Sequence, residues 1–164
     1  MAESSSKEFS FVAAEHAVLA FWLRERIFER SVSQNAGNPP YIFYDGPPFA
    51  TGLPHHGHLV GSTIKDIVPR YWTMKGRYVE RRFGWDCHGL PVEHEIDKQF
   101  GASSADVVQQ LGVAGYNDAC RSIVGRYVTE WRSTITRLGR WVDFDHDYKT
   151  MDPWFMESVW WVLK

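Results

Sequence analysis

The clearest periodicity in the chain runs from Tyr116 to Leu138. Tyr116, Cys120, Ile123, Tyr127, Trp131, Ile135 and Leu138 recur at spacings of three and four, which places them on one helical face. A helix is expected over residues 11–31, where Phe11, Ala14, Val18, Phe21, Trp22 and Ile27 follow the same period. Another is expected from about His55 to Met74, with Ile64, Ile67, Val68 and Tyr71 as its apolar stripe. Lys65, Asp66 and Arg70 then fall on its outer face, and Lys75-Gly76 ends it. Pro69 inside that helix should kink it or end it early, because proline lacks the backbone N–H that the ladder needs. A short helix is expected over 91–100, with Glu93, His94 and Glu95 on a solvated face, and Ser103 with Asp106 resembles the capping box of a further one.

Two short runs read as strands. Tyr41-Ile42-Phe43-Tyr44 is apolar and β-favouring, and Tyr78 to Phe83 alternates. Strand, loop, helix and strand over 41–83 make a βαβ unit, so the fold class is α/β with a parallel sheet. An N-terminal helix precedes it and helices follow. Gly46, Pro47, Pro48, Gly52 and Pro54 exclude regular structure between the first strand and its helix.

Asp152-Pro153 starts a last helix. Trp154, Phe155, Met156, Val159, Trp160, Trp161, Val162 and Leu163 make it apolar almost all round, and such a helix is normally buried. Little chain remains to cover it. The expectation is a chain cut before its domain is complete, or a partner surface at 153–164.

Composition sharpens this picture only in places. Hydrophobic residues make up 44% of the 164 positions and charged residues 23%, as in a globular domain. A net charge of -2 gives no basic excess, so any nucleic-acid contact depends on residues elsewhere. Cys87 and Cys120 are too few for a disulfide scaffold. Residues 1–8 read as a disordered tail without the apolar core of a signal peptide. No apolar run is long enough to span a membrane, and the cytoplasm is the expected compartment.

The candidate chemistry sits where the first strand hands over to the helix, the end of an open α/β sheet at which ligands bind. There the chain reads Pro47-Pro48-Phe49-Ala50-Thr51-Gly52-Leu53-Pro54-His55-His56-Gly57-His58. A helix N-terminus offers free N–H groups and a positive dipole end, which suits phosphate. His55 and His58, three apart, project to one face of the first turn and can donate hydrogen bonds to phosphate oxygens. Neither a Walker A loop nor a GxGxxG fingerprint occurs. The competing reading is a metal site built from His55, His56 and His58, joined by His88 or Cys87.

The flanking residues decide between the two. His55-His56-Gly57-His58 resembles the His-x-Gly-His signature of the class I aminoacyl-tRNA synthetases. Tyr44-Asp45-Gly46-Pro47-Pro48-Phe49-Ala50-Thr51-Gly52 is similar to the isoleucine branch of that family. So is Arg81-Arg82-Phe83-Gly84-Trp85-Asp86-Cys87-His88-Gly89-Leu90-Pro91-Val92-Glu93 downstream. The resemblance covers residues 8 to 164 and sets the metal reading aside.

The resemblance implies the first half of a Rossmann-like catalytic domain over 9–164, ending before the family's editing insertion. It implies ATP as substrate, magnesium arriving with ATP, and isoleucine and its tRNA as partners of the full-length protein. No zinc site is expected in this segment. His55 and His58 would be catalytic, contacting the ATP phosphates, with Pro48, Phe49, Ala50 and Gly57 lining the ATP site. Pro47 and Asp86 would bind the amino acid, Asp86 by pairing with its ammonium. The family's second signature, Lys-Met-Ser-Lys-Ser, does not occur in these residues. The alternative is a non-catalytic short form that binds a partner through the last helix.

Overall fold

Two parallel strands and the long helix beside them organise the chain, whose structure is a computed structural model describing residues 9–164. The expected tail, residues 1–8, lies outside the described residues. In order, the elements are α1 (Phe11–Arg24), α2 (Ile27–Ser33), α3 (His56–Met74), β1 (Arg82–Trp85), α4 (Leu90–Phe100), α5 (Ser104–Leu138), β2 (Asp143–Lys149) and α6 (Pro153–Leu163). Strands β1 and β2 pair in parallel. Their register is irregular: Arg82 faces Asp143, but Gly84 already faces Tyr148. The extra residues in β2 bulge out of the ladder.

Several expectations need correction. The helix over 11–31 is two helices, because Arg26 adopts a left-handed backbone at φ 50. The strand over 41–44 does not form. Tyr41 N–H donates to the Tyr78 carbonyl at 2.9 Å, and parallel contact returns only at Phe49 and Asp86. Between these points Ile42 and Tyr44 are exposed, and no neighbouring strand among the described residues satisfies this backbone. The second strand begins at Arg82 rather than Tyr78. Strand β2 was not anticipated, since its Asp-rich sequence has low β propensity. The capping residue Ser103 and the Tyr116–Leu138 helix belong to one helix of 35 residues, bent at Gly112 where φ is 72.

Helix α3 departs furthest from its pattern. It runs through Pro69 to Met74. The ladder loses one hydrogen bond there, but the proline ring is buried and its carbonyl accepts from Thr73 Oγ1 at 2.8 Å and from Arg81 Nη2 at 3.3 Å. The expected apolar stripe points outward: Ile64 is 58% exposed and Ile67 59%. The expected outer residues point inward instead. Arg70 donates to the Gly139 carbonyl at 2.6 Å, pairs with Asp66 at 2.6 Å and lies 3.7 Å over the Trp141 ring. Asp66 Oδ1 accepts from the Trp141 N–H at 3.0 Å. Polar partners on neighbouring elements have set the rotation of this helix.

The core follows β1. Phe83 and Trp85 pack with Val92 of α4, Val124, Trp131 and Ile135 of α5, and Val142. A satellite cluster joins Ile96 to Val107 and Tyr116. Helix α6 touches this body through Phe155, which stacks on Tyr148 at 5.8 Å between centroids, while Trp160 to Leu163 are exposed.

Candidate active site

Residues 45–55 leave the sheet and enter α3, and three anchors shape them. The first is at the sheet edge, where Asp86 N–H donates to the Pro48 carbonyl at 2.9 Å and Ala50 N–H to the Asp86 carbonyl at 3.4 Å. The second is in the core. Trp131 Nε1 donates to the Gly52 carbonyl at 2.6 Å, while its ring packs 4.8 Å from that of His58. The third is an ionic cluster at Asp45. Its carboxylate, 0% exposed, lies 2.5 Å from Arg140 and 2.6 Å from Lys65. Lys65 also donates to the Gly46 carbonyl at 2.7 Å, and Tyr148 Oη to the Asp45 carbonyl at 2.6 Å.

The histidines meet at the start of α3. His55 is its N-cap residue, with extended backbone, and His58 is in the first turn. Their rings stack at 3.6 Å between centroids. His55 N–H donates to His58 Nδ1 at 3.2 Å, so the neutral His58 ring carries its proton on Nε2 as a donor. Partial burial, then the charges of His55 and Lys65, push the His58 pKa below the usual imidazole range. The neutral, Nε2-donating form of His58 is therefore favoured. Gly57 gives the stack room: a Cβ there would sit 3.0 Å from the His55 ring, which would have to shift by a few tenths of an ångström. His56 is exposed.

Asp86 follows the C-terminal end of β1 and is half-buried. Its Oδ1 accepts from the His88 N–H at 3.4 Å, and no lysine or arginine among the described residues pairs with it. That leaves a carboxylate able to take an external cation. Pro47, one residue before the carbonyl that bonds to Asp86, lines an apolar cavity of about 570 Å³ with Tyr41, Tyr44, Tyr148, Trp154 and Phe155. Asp86 does not line that cavity. Phe49 is exposed beside Asp86, and Ala50 is fully buried with its N–H committed to the sheet edge. Burial also pushes the Cys87 thiol up, away from a nucleophilic thiolate. No group of three or more His, Cys, Asp or Glu side chains placed to hold a metal ion occurs among the described residues.

Sequence reading missed the residues that hold these groups in place. Lys65 was expected on the outer face of its helix, and Arg140 belongs to no motif that marks it in the sequence. Gly84 is the other omission. A Cβ on it would stand 2.1 Å from the Tyr148 ring, which crosses the sheet there to reach Asp45.

Comparison with known proteins identifies the family. The family described as tRNA synthetases class I (I, L, M and V) matches residues 17–164. An isoleucine–tRNA ligase of Treponema pallidum is 64% identical over 153 residues, 93% of this chain and 14% of the relative. The cytoplasmic isoleucine–tRNA ligase of Mus musculus is 56% identical over all 164 residues, 13% of its own length. That of Arabidopsis thaliana is 60% identical over 157 residues, again 13% of the relative. The chain thus spans about one seventh of the curated relatives it matches. In fold, it is similar to the LeuRS of Agrobacterium radiobacter K84 in a complex with tRNA and LeuAMS. The TM-score is 0.67 at 18% identity, over 95% of this chain and 18% of that one. The chain belongs to the class I tRNA synthetases.

Proposed function

We propose that the complete protein is an isoleucine–tRNA ligase and that this segment carries the first half of its activation site. In the activation step, a carboxylate oxygen of isoleucine attacks the α-phosphorus of ATP. The bond to the bridging oxygen breaks, pyrophosphate leaves, and the aminoacyl-adenylate remains. The aminoacyl group then passes to the terminal ribose of the tRNA. Such phosphoryl chemistry is mostly positioning and charge stabilisation.

The residues suit that division of labour. His58 donates from Nε2 and His55 lies stacked against it at the positive end of α3, where charge on the departing phosphates develops. Gly57 lets that stack form, and Pro48, Phe49 and Ala50 form the loop backbone beneath the nucleotide. Magnesium arrives with ATP. Asp86 takes the isoleucine ammonium, which holds the carboxylate toward the α-phosphorus, and Pro47 contributes to the pocket for the side chain. The tRNA engages parts of the complete protein outside this segment. The observation that carries the reading is the stacked His55–His58 pair, held in the same loop whose backbone bonds to Asp86.

Exchange of labelled pyrophosphate into ATP by the complete protein, with a panel of amino acids, tests it. Isoleucine should support the strongest exchange. Exchange supported only by leucine or valine would refute the assignment.

The exposed Trp160-Trp161-Val162-Leu163 end of α6 favours a second reading, a non-catalytic product that binds a partner there. It requires that the cell make a stable 19.0 kDa species carrying this sequence. Immunoblotting with an antibody against residues 104–124 decides this, and a band only at much higher mass rejects the second reading.

A further inference from the structure

Helix α3 holds the loop of residues 46–55 at both of its ends. At one end His55 caps the helix. At the other, Lys65 reaches back from the helix to Asp45 and Gly46. Lys65 lies seven residues after His58, two turns and about 10 Å along the same face. It is 32% exposed, within reach of solvent, whereas Arg140 on the same carboxylate is 3% exposed.

The charges do not cancel. One carboxylate, Asp45, faces two cations. Arg140 meets Oδ2 from a buried position, with a further bond to Ser62 Oγ at 3.4 Å, and its single charge matches the single charge of Asp45, while Lys65 approaches Oδ1 from the solvent side. The ammonium of Lys65 is then surplus positive charge behind the loop. Nothing in the packing of the core needs it, because Phe83, Trp131 and Ile135 close the interior without it.

We propose that Lys65 is a positioning residue of the nucleotide site: by tying Asp45 and the Gly46 carbonyl to the helix that carries His58, it sets the span of the loop over which the triphosphate lies and adds positive charge beneath it. The inference rests on the activation site described above. Removing the tie frees the start of the loop but leaves the Arg140–Asp45 pair intact, so the fold survives. The titratable groups that reach His58 are His55 in the loop and Lys65 on α3, while α5 presents only the uncharged Trp131 ring. Loss of the ammonium therefore also lets the His58 pKa rise.

The test uses Lys65→Met and Lys65→Arg in the complete protein, with MgATP binding measured by calorimetry and pyrophosphate exchange measured across pH. The expected result is about tenfold weaker MgATP binding for Lys65→Met, with kcat within about twofold, as for a lost interaction common to the ground and transition states. The acid limb of kcat/KM for ATP should move to higher pH, and Lys65→Arg should restore most of the affinity. Unchanged ATP affinity in Lys65→Met would overturn the proposal. So would a loss that Lys65→Arg fails to restore, or a drop confined to kcat. If the unsubstituted protein binds MgATP but exchanges with no amino acid, the ligase reading fails while the calorimetric comparison still decides the role of Lys65. If it does not bind MgATP, both fail.

Discussion

Helices α3 and α5 both carry apolar stripes and treat them in opposite ways. In α5, Tyr116, Trp131 and Ile135 are buried as their spacing announces. In α3, Ile64, Ile67 and Tyr71 face outward, and Lys65, Asp66 and Arg70 face the body of the chain. Apolar spacing records which side chains share a face, and it cannot say which face the neighbours claim. For α3 the claim is made by Asp45, Gly139 and Trp141, which offer a carboxylate, a carbonyl and an aromatic face to the basic residues. Orientation by polar partners suits a helix whose first turn must present two imidazoles, because each contact is directional.

The largest effect should come from the end of α3. His55→Ala combined with His58→Ala should lower the pyrophosphate-exchange rate of the complete protein by about 10²-fold or more, the scale of losing preorganised donors to a developing anion. The apparent melting point should barely move, since neither ring is in the core. A loss below about tenfold would remove the histidines from the chemistry.

Stability separates the two helices next. Ile135→Ala empties a fully buried position and should cost about 2–5 kcal/mol in denaturant unfolding of the chain. Ile64→Ala, at an exposed position, should cost about 0.5 kcal/mol or less. Equal costs would break the comparison and place the α3 stripe in a core. Gly84→Ala should also destabilise, by about 1–3 kcal/mol, because the new Cβ displaces Tyr148. Pairing it with Tyr148→Ala should recover part of that loss, though not the bond to Asp45.

The smallest effect is a pH dependence. Burial, then the charges of His55 and Lys65, hold the His58 pKa below the usual imidazole range. Its folded pKa lies below its unfolded one. The unfolded chain therefore binds more protons as the pH drops below about 6.5, and the stability owed to neutral His58 is lost in that direction. Proton NMR of the His58 ring should show a midpoint below that of a histidine in an unstructured peptide. A midpoint at or above it would contradict the stacked, partly buried pair.

Legibility followed the same line. The α/β class, the presence of a parallel sheet, the capped start at Ser103 and the end of the long helix at Leu138 could be read from spacing and turn chemistry, although the strands that pair are not the two expected. Residues 41–44 could not, because a β-favouring run needs a neighbour, and only its edges find one here. Strand β2 could not either: Phe144 and Tyr148 keep the period of two, but three aspartates hide it. His55, His58 and Asp86 could be singled out as candidates because their types and neighbours carry a recognisable chemistry. The groups holding the loop could not, since a lysine seven residues from a histidine looks like any solvated charge until Asp45 is placed beside it.

The proposed site has two ends, a phosphate end on α3 and a cation end at Asp86. Equilibrium binding of MgATP and of isoleucine to the complete protein, in His58→Ala and Asp86→Ala, tests this most directly. His58→Ala should weaken MgATP and spare isoleucine, and Asp86→Ala should weaken isoleucine and spare MgATP. If each substitution weakened both ligands alike, or neither weakened its own, the division of the site would be wrong.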